Sequence, residues 1–224
     1  MKKRRIQIAQ YVIADLVSAA AAWSLLYFFR KAYLETQKFG IDIPFEIDTN
    51  FILGLVFVPL FWVIGYILTG SYTDVYRKHR LRELAQTLWQ SVFGVTVIFF
   101  ILLLDDEIAS YKNYYDLYFF YFSVHFFITF LFRFILTTRT VKRIHSRKLW
   151  FNTLIIGGNE RAYRIFKEID ELPQSPGNRF VGYIIINGGK ALSKQTDLPK
   201  LGNLSRLKNT IEEHQIEEVI IAIE

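Results

Sequence analysis

FILGLVFVPLFWVIGYILTGSY, residues 51–72, carries no charged side chain. About 20 such residues, rising 1.5 Å each, cross a bilayer core of roughly 30 Å. Inside lipid the backbone must satisfy its own hydrogen bonds, so the stretch reads as a membrane-spanning helix. Three more stretches share the pattern. Residues 8–29 hold one charge, Asp15, and residues 84–104 hold none. Residues 114–138 hold Asp116 and Arg133 near their ends, with His125 between. The chain therefore reads as an all-α membrane bundle of four helices over residues 1–138. The first span resembles a signal peptide only in its basic start and small residues at 19–22. Its apolar run continues through Trp23, Leu25, Leu26, Tyr27, Phe28 and Phe29. That is too long for a typical signal-peptide core and predicts an uncleaved helix.

Orientation follows from the flanks. Lys2, Lys3, Arg4 and Arg5 precede the first span; Arg77, Lys78, Arg80 and Arg82 lie between the second and third. Arg139, Lys142, Arg143, Arg147 and Lys148 follow the fourth. The other two loops carry only Arg30, Lys31, Lys38 and Lys112, and are rich in acids: Glu35, Asp42, Glu46, Asp48, then Asp105, Asp106 and Glu107. The excess of Lys and Arg marks the cytosolic side, so both termini are expected in the cytoplasm. The net charge of +6 thus faces anionic headgroups, and a nucleic-acid partner is not expected. The absence of cysteine excludes disulfides, thiol catalysis and thiolate metal sites. His79, His125, His145 and His214 are too scattered in sequence to suggest a metal site.

Charges inside lipid demand partners. Asp15 and Arg133 lie at matching depths near the cytosolic ends of the first and fourth spans, and a lone charge there costs about 2.5–3.5 kcal/mol. An Asp15–Arg133 pair pinning the two helices is the structural reading; contact of Arg133 with a lipid phosphate is the functional one. His125 is expected as a neutral interhelix hydrogen-bonder. Pro59 is expected to kink the second span. Tyr72, Tyr76, Leu81 and Leu84 around a basic stretch predict a short interfacial helix.

Composition changes after residue 138. Residues 139–150 form a basic linker interleaved with Val141, Ile144, Leu149 and Trp150, suited to lie on headgroups. From 151 to 224 the pattern alternates between strand and helix. A strand at 153–156 runs into Gly157-Gly158. Ala162, Ile165, Phe166, Ile169 and Leu172 follow helical spacing. A second strand covers 180–186, a polar loop runs to Pro199, and a second helix starts at Asn203 or Ser205. Residues 219–223 are continuously apolar, as in a strand buried on both faces. This is read as a β-α-β-β-α-β order, a small cytosolic Rossmann-like α/β domain. Such a short soluble part makes a thin core, and the natural protein is expected to continue past Glu224.

The first turn tests for a nucleotide. The fingerprint G-x-G-x-x-G/A falls on Gly157 to Ala162, making Gly157, Gly158 and Asn159 the candidate cofactor-binding residues. Asn159 stands where a pyrophosphate needs a glycine, and Asn187 stands where a ribose-binding acid belongs. A turn that preserves the fold without a ligand is therefore favoured, and no cofactor is assigned to this chain.

Tyr11 to Leu16, Gly70 to Arg77, Phe130 to Phe134 and Glu217 to Ile223, with four spans and a degenerate Rossmann half, resemble the front part of the large bacterial polyprenyl-phosphate hexose-1-phosphate transferases. These include the undecaprenyl-phosphate glucose and galactose phosphotransferases of exopolysaccharide and O-antigen synthesis. The last stretch resembles a strand of their CoA-binding-like domain. Membrane nucleotide-sugar 4,6-dehydratases share a similar front half. The resemblance implies transfer of a sugar 1-phosphate from a UDP-sugar to undecaprenyl phosphate, with release of UMP and with magnesium. It also implies that catalysis belongs to an Asp–Glu pair on a C-terminal domain that has no counterpart here. No catalytic or metal-binding residue is carried over, and the chain alone is expected to be inactive. Its implied setting is the bacterial inner membrane, with the bilayer, undecaprenyl phosphate, a second copy of itself and polysaccharide assembly proteins as partners. Its implied role is anchoring and regulation. A catalysis-free scaffold is the remaining alternative; a transport role lacks internal repeats to support it.

Overall fold

The structure, a computed structural model, describes residues 2–35, 47–103, 111–186 and 198–223. Asn187, Gly188 and Gly189 lie outside the described residues, as do Lys38, Asp42, Glu46, Asp105, Asp106 and Glu107. Contacts divide the chain into two compact units, Met1–Arg139 and Thr140–Glu224.

The first unit is helical: α1 Lys2–Phe29, α2 Thr49–Leu68, α3 Arg80–Ile98 and α4 Tyr111–His145. Wider π-helical turns extend α1 over Arg30–Glu35 and α3 over Phe99–Leu103. All four helices are long and apolar enough to cross a membrane. Their arrangement inverts that of a water-soluble bundle. Ile52, Val56, Phe57, Leu60, Ile64 and Ile67 of α2 face outward, while Asp15, Ser18, Glu83, Thr87, Ser91, His125, Thr129 and Arg133 are buried. With no hydrophobic drive between helices in lipid, close backbone approach and interhelical hydrogen bonds hold them together. Trp23 of α1 covers Gly54 of α2, and Trp62 of α2 covers Gly94 of α3; a Cβ at either glycine would come within 2.1 Å and 2.3 Å of the indole. Asp48 caps α2 by accepting from the Phe51 amide at 2.8 Å, and it also accepts from the Tyr27 hydroxyl. Those two donors, the hydroxyl foremost, hold its carboxyl below the ordinary range. Pro59 lies inside α2, which remains helical throughout.

One element differs from the sequence reading, and a second takes a form that reading left unspecified. The segment around Tyr72 and Tyr76 is a series of turns; Leu81 and Leu84 belong to α3 itself. Gly70, at φ 68°, ends the preceding helix, and the buried side chains of Ser71, Tyr72 and Val75 fold the segment back onto the bundle. The basic stretch after residue 138 is the continuation of α4 to His145. Arg147, at φ 54°, then closes that helix, with its amide bonded to the Ile144 carbonyl and the Lys148 amide to the Arg143 carbonyl.

The second unit is a parallel four-stranded sheet of order β3-β2-β1-β4 with helices, an α/β domain. Its strands are β1 Phe151–Ile156, β2 Asn178–Ile185, β3 Lys200–Asn203 and β4 Glu218–Ile221. Helix α5, Glu160–Asp170, follows β1; a 3-10 turn Leu204–Arg206 and α6, Leu207–Glu213, follow β3. Strand β3 is the one for which the sequence reading named no residues: Lys200-Leu201-Gly202-Asn203 has too little apolar pattern to stand out. Asn203 precedes the 3-10 turn without making a side-chain cap. Ile155, Ala162, Tyr183 and Ala222 form one core layer; Leu154, Ile156 and Ile184 form another. The expectation that the last strand is buried on both faces is corrected. At the sheet edge β4 pairs only with β1 among the described strands, leaving Val219 40% and Ile221 67% exposed.

Candidate functional site

Arg133 is the hub of the helical unit. It is fully buried on α4 and touches every other helix. Its Nε donates to Asp15 Oδ1 and its Nη2 to Asp15 Oδ2, both at 2.8 Å, a two-pronged grip on α1. Its Nη1 donates to Gln90 Oε1 at 3.2 Å and lies 3.7 Å from Glu83 Oε1, both on α3. The Tyr66 ring of α2 packs on the guanidinium, 4.0 Å from ring centroid to carbon. A planar guanidinium suits this task because its five donors point in a fixed fork, whereas an ammonium offers a single point of charge.

The turns between α2 and α3 complete the cluster. Tyr72 donates to Asp15 Oδ2 at 2.7 Å, so that carboxylate accepts from both Tyr72 and Arg133. Lys78 Nζ donates to Glu83 Oε1 at 3.0 Å and lies 4.4 Å from the Tyr11 ring centroid. Burial pushes the Lys78 ammonium below its ordinary value, with the Glu83 carboxylate opposing. Gln90 donates to Ser71 Oγ at 2.7 Å, and Arg4 of α1 donates to the Thr73 carbonyl at 2.8 Å. Two acids, Asp15 and Glu83, thus face two bases, Arg133 and Lys78. Buried charges persist only when paired and hydrogen-bonded, and this cluster meets that condition.

Asp15 and Arg133, which the sequence reading paired, lie in direct contact here. Glu83, Lys78, Gln90 and Tyr72 were missed as members of the cluster. The available signal was a polar stripe on α3: Glu83, Thr87, Gln90 and Ser91 recur at the spacing of one helical face. His125 is buried, with Nε2 3.0 Å from the Tyr66 hydroxyl and its ring stacked on Trp62 at 3.7 Å.

In the α/β unit the turn at Gly157, Gly158 and Asn159 joins β1 to α5. Gly157 sits at φ 147°, and a Cβ there would lie 2.2 Å from the Ala222 carbonyl oxygen. Its glycine is therefore required by the approach of the chain after β4. Ala162, 3.3 Å from that same point, keeps the helix close to the turn. Asn159 caps α5 by accepting from the Ala162 amide at 2.9 Å. One of the amides at this helix start is thus already engaged. Arg161 donates to the Ile223 carbonyl at 3.3 Å. Packing accounts for Gly157 and Ala162 and capping for Asn159, and Asn187 lies outside the described residues.

No curated protein matches the chain. A family model described as a CoA-binding domain matches residues 71–224, more than half of the chain. The match begins at the turns that carry Tyr72 and Lys78, and takes in α3, α4 and the whole α/β unit. This family occurs in polyprenyl glycosylphosphotransferase and sugar-transferase-like proteins. Lys78, Glu83, Arg133 and the parallel sheet thus fall within the matched residues, Asp15 on α1 lies outside them, and the chain belongs to the CoA-binding-domain family.

Proposed function

We propose that this chain is the membrane-anchoring and regulatory portion of a sugar-1-phosphate transferase, one that loads a hexose 1-phosphate from a UDP-sugar onto undecaprenyl phosphate. The observation that carries the reading is the family match across residues 71–224, in a family found in polyprenyl glycosylphosphotransferase-like proteins. Four helices long and apolar enough to cross a membrane supply the anchor. The basic flanks favour cytosolic termini in a bacterial inner membrane. The buried charge cluster ties α4 to α1 and α3 within that anchor.

Membranes carrying the 224-residue chain, given UDP-glucose or UDP-galactose, undecaprenyl phosphate and magnesium, should release no UMP; sustained release would overturn the assignment of catalysis elsewhere. The coding DNA beyond codon 224 gives the second test. A re-entrant apolar helix followed by an acidic pair supports the transferase. A complete Gly-x-x-Gly-x-x-Gly with Tyr-x-x-x-Lys would replace it with a membrane nucleotide-sugar dehydratase.

A further inference from the structure

We propose that the face of the α/β unit built from Arg143, Lys148, Trp150 and Arg179 docks on anionic phospholipid headgroups of the leaflet that α4 leaves. The inference needs only the membrane reading, and it stands or falls independently of the transferase reading.

These residues come from two separate parts of the chain. Arg143 and Lys148 flank the end of α4, where the Lys148 amide returns to the Arg143 carbonyl at 3.0 Å. Leu149 turns inward and is buried, so Lys148 and Trp150 on either side of it remain exposed. Trp150 is 42% exposed. Arg179 arrives on β2 and lies over the Trp150 ring, 5.3 Å from its centroid. An exposed indole flanked by cations is the composition favoured where hydrocarbon meets water: the ring enters the headgroup layer and the cations meet phosphates.

Covalent geometry brings this face to the lipid. Past Thr138, α4 continues to His145, adding about 10 Å at 1.5 Å per residue. That length crosses a headgroup layer. Trp150 follows five residues later, within at most about 18 Å of chain. Every exposed basic residue so placed contributes about 1 kcal/mol of attraction to an anionic leaflet. A nucleic acid offers similar charge but no apolar layer for the indole, and the tether supplies a bilayer at high local concentration.

The chain has no cysteine, so Ser146→Cys provides a single labelling position on the exposed turn. The full chain would carry an environment-sensitive fluorophore there. It would be placed in nanodiscs of phosphatidylcholine alone or with one-third phosphatidylglycerol. Emission should shift to the blue with phosphatidylglycerol and return at high salt. Lys148→Gln and Arg179→Gln should each weaken that preference about fivefold, the equivalent of ~1 kcal/mol, whereas Arg179→Lys should retain it. Thermal unfolding of each variant separates loss of docking from loss of fold. Arg179 is the deciding residue, because tethering alone brings Ser146 near lipid but cannot make its signal depend on β2. An identical emission on both nanodiscs, or an unchanged shift in Arg179→Gln, overturns the proposal. So does an RNA oligonucleotide that moves the probe on neutral nanodiscs as far as phosphatidylglycerol does.

Discussion

One guanidinium on α4 answers to three other helices, which makes the cost of disturbing it directional. Replacing Asp15 with Asn leaves Arg133 buried beside one distant carboxylate. The bundle should lose about 3–5 kcal/mol, the usual penalty for stranding a buried charge. Arg133→Gln should cost a similar amount by stranding Asp15. The double variant should recover part of the loss, because Glu83 keeps Lys78; resistance of the bundle to denaturing detergent is the measurement. No recovery would sink the pairing. Lys78 adds a pH dependence. Its folded value is depressed by burial, so between that value and its ordinary 10.5 the open turn binds more protons than the closed one. Closure of the turn should therefore strengthen as pH rises through that window. Protease protection of the turn should show this trend, and Lys78→Met should abolish it. Asp15 and Arg133 were legible because a charge within an apolar run is anomalous. Glu83 and Lys78 were not, because they lie in a charged segment where one more charge attracts no notice.

Helix ends and turns carry the next scale. Asn159 caps α5, and Asn159→Ala should destabilise the α/β unit by about 1 kcal/mol. Gln215, at φ 49°, closes α6, with the Ile216 amide reaching the Ile211 carbonyl at 2.9 Å. Gln215 is exposed, so Gln215→Gly removes only the left-handed strain of a side chain. It should raise stability by about 1 kcal/mol in thermal unfolding. The sequence showed where helices lie, since apolar period and length survive any packing. It did not show where α4 stops. Nothing in Arg139 to His145 breaks a helix, and the terminating residue is an arginine forced into a conformation that glycine prefers. The segment of Tyr72, Tyr76, Leu81 and Leu84 was read as one short interfacial helix because of its basic stretch; burial of Tyr72 against Asp15 overrode that over its first part, which forms turns.

Across the whole molecule, each unit has its own core. Gly157→Ala should therefore abolish the α/β unit, since its Cβ meets backbone at 2.2 Å, while the helical unit persists. Far-UV dichroism should keep most of its helical signal as the sheet unit becomes protease-sensitive. The alternation of strand and helix was enough to foresee a parallel sheet. The exposed edge was not foreseeable, because an apolar run reads the same in the middle of a sheet as at its border. The buried cluster has one more consequence, for biogenesis. Asp15 and Arg133 are separated by 118 residues. At roughly 5–20 residues per second, a ribosome needs about 6–24 s to make the second after the first. For that interval the opening helix carries its carboxylate without the guanidinium that finally grips it, and Tyr72 is the first of its partners to be made.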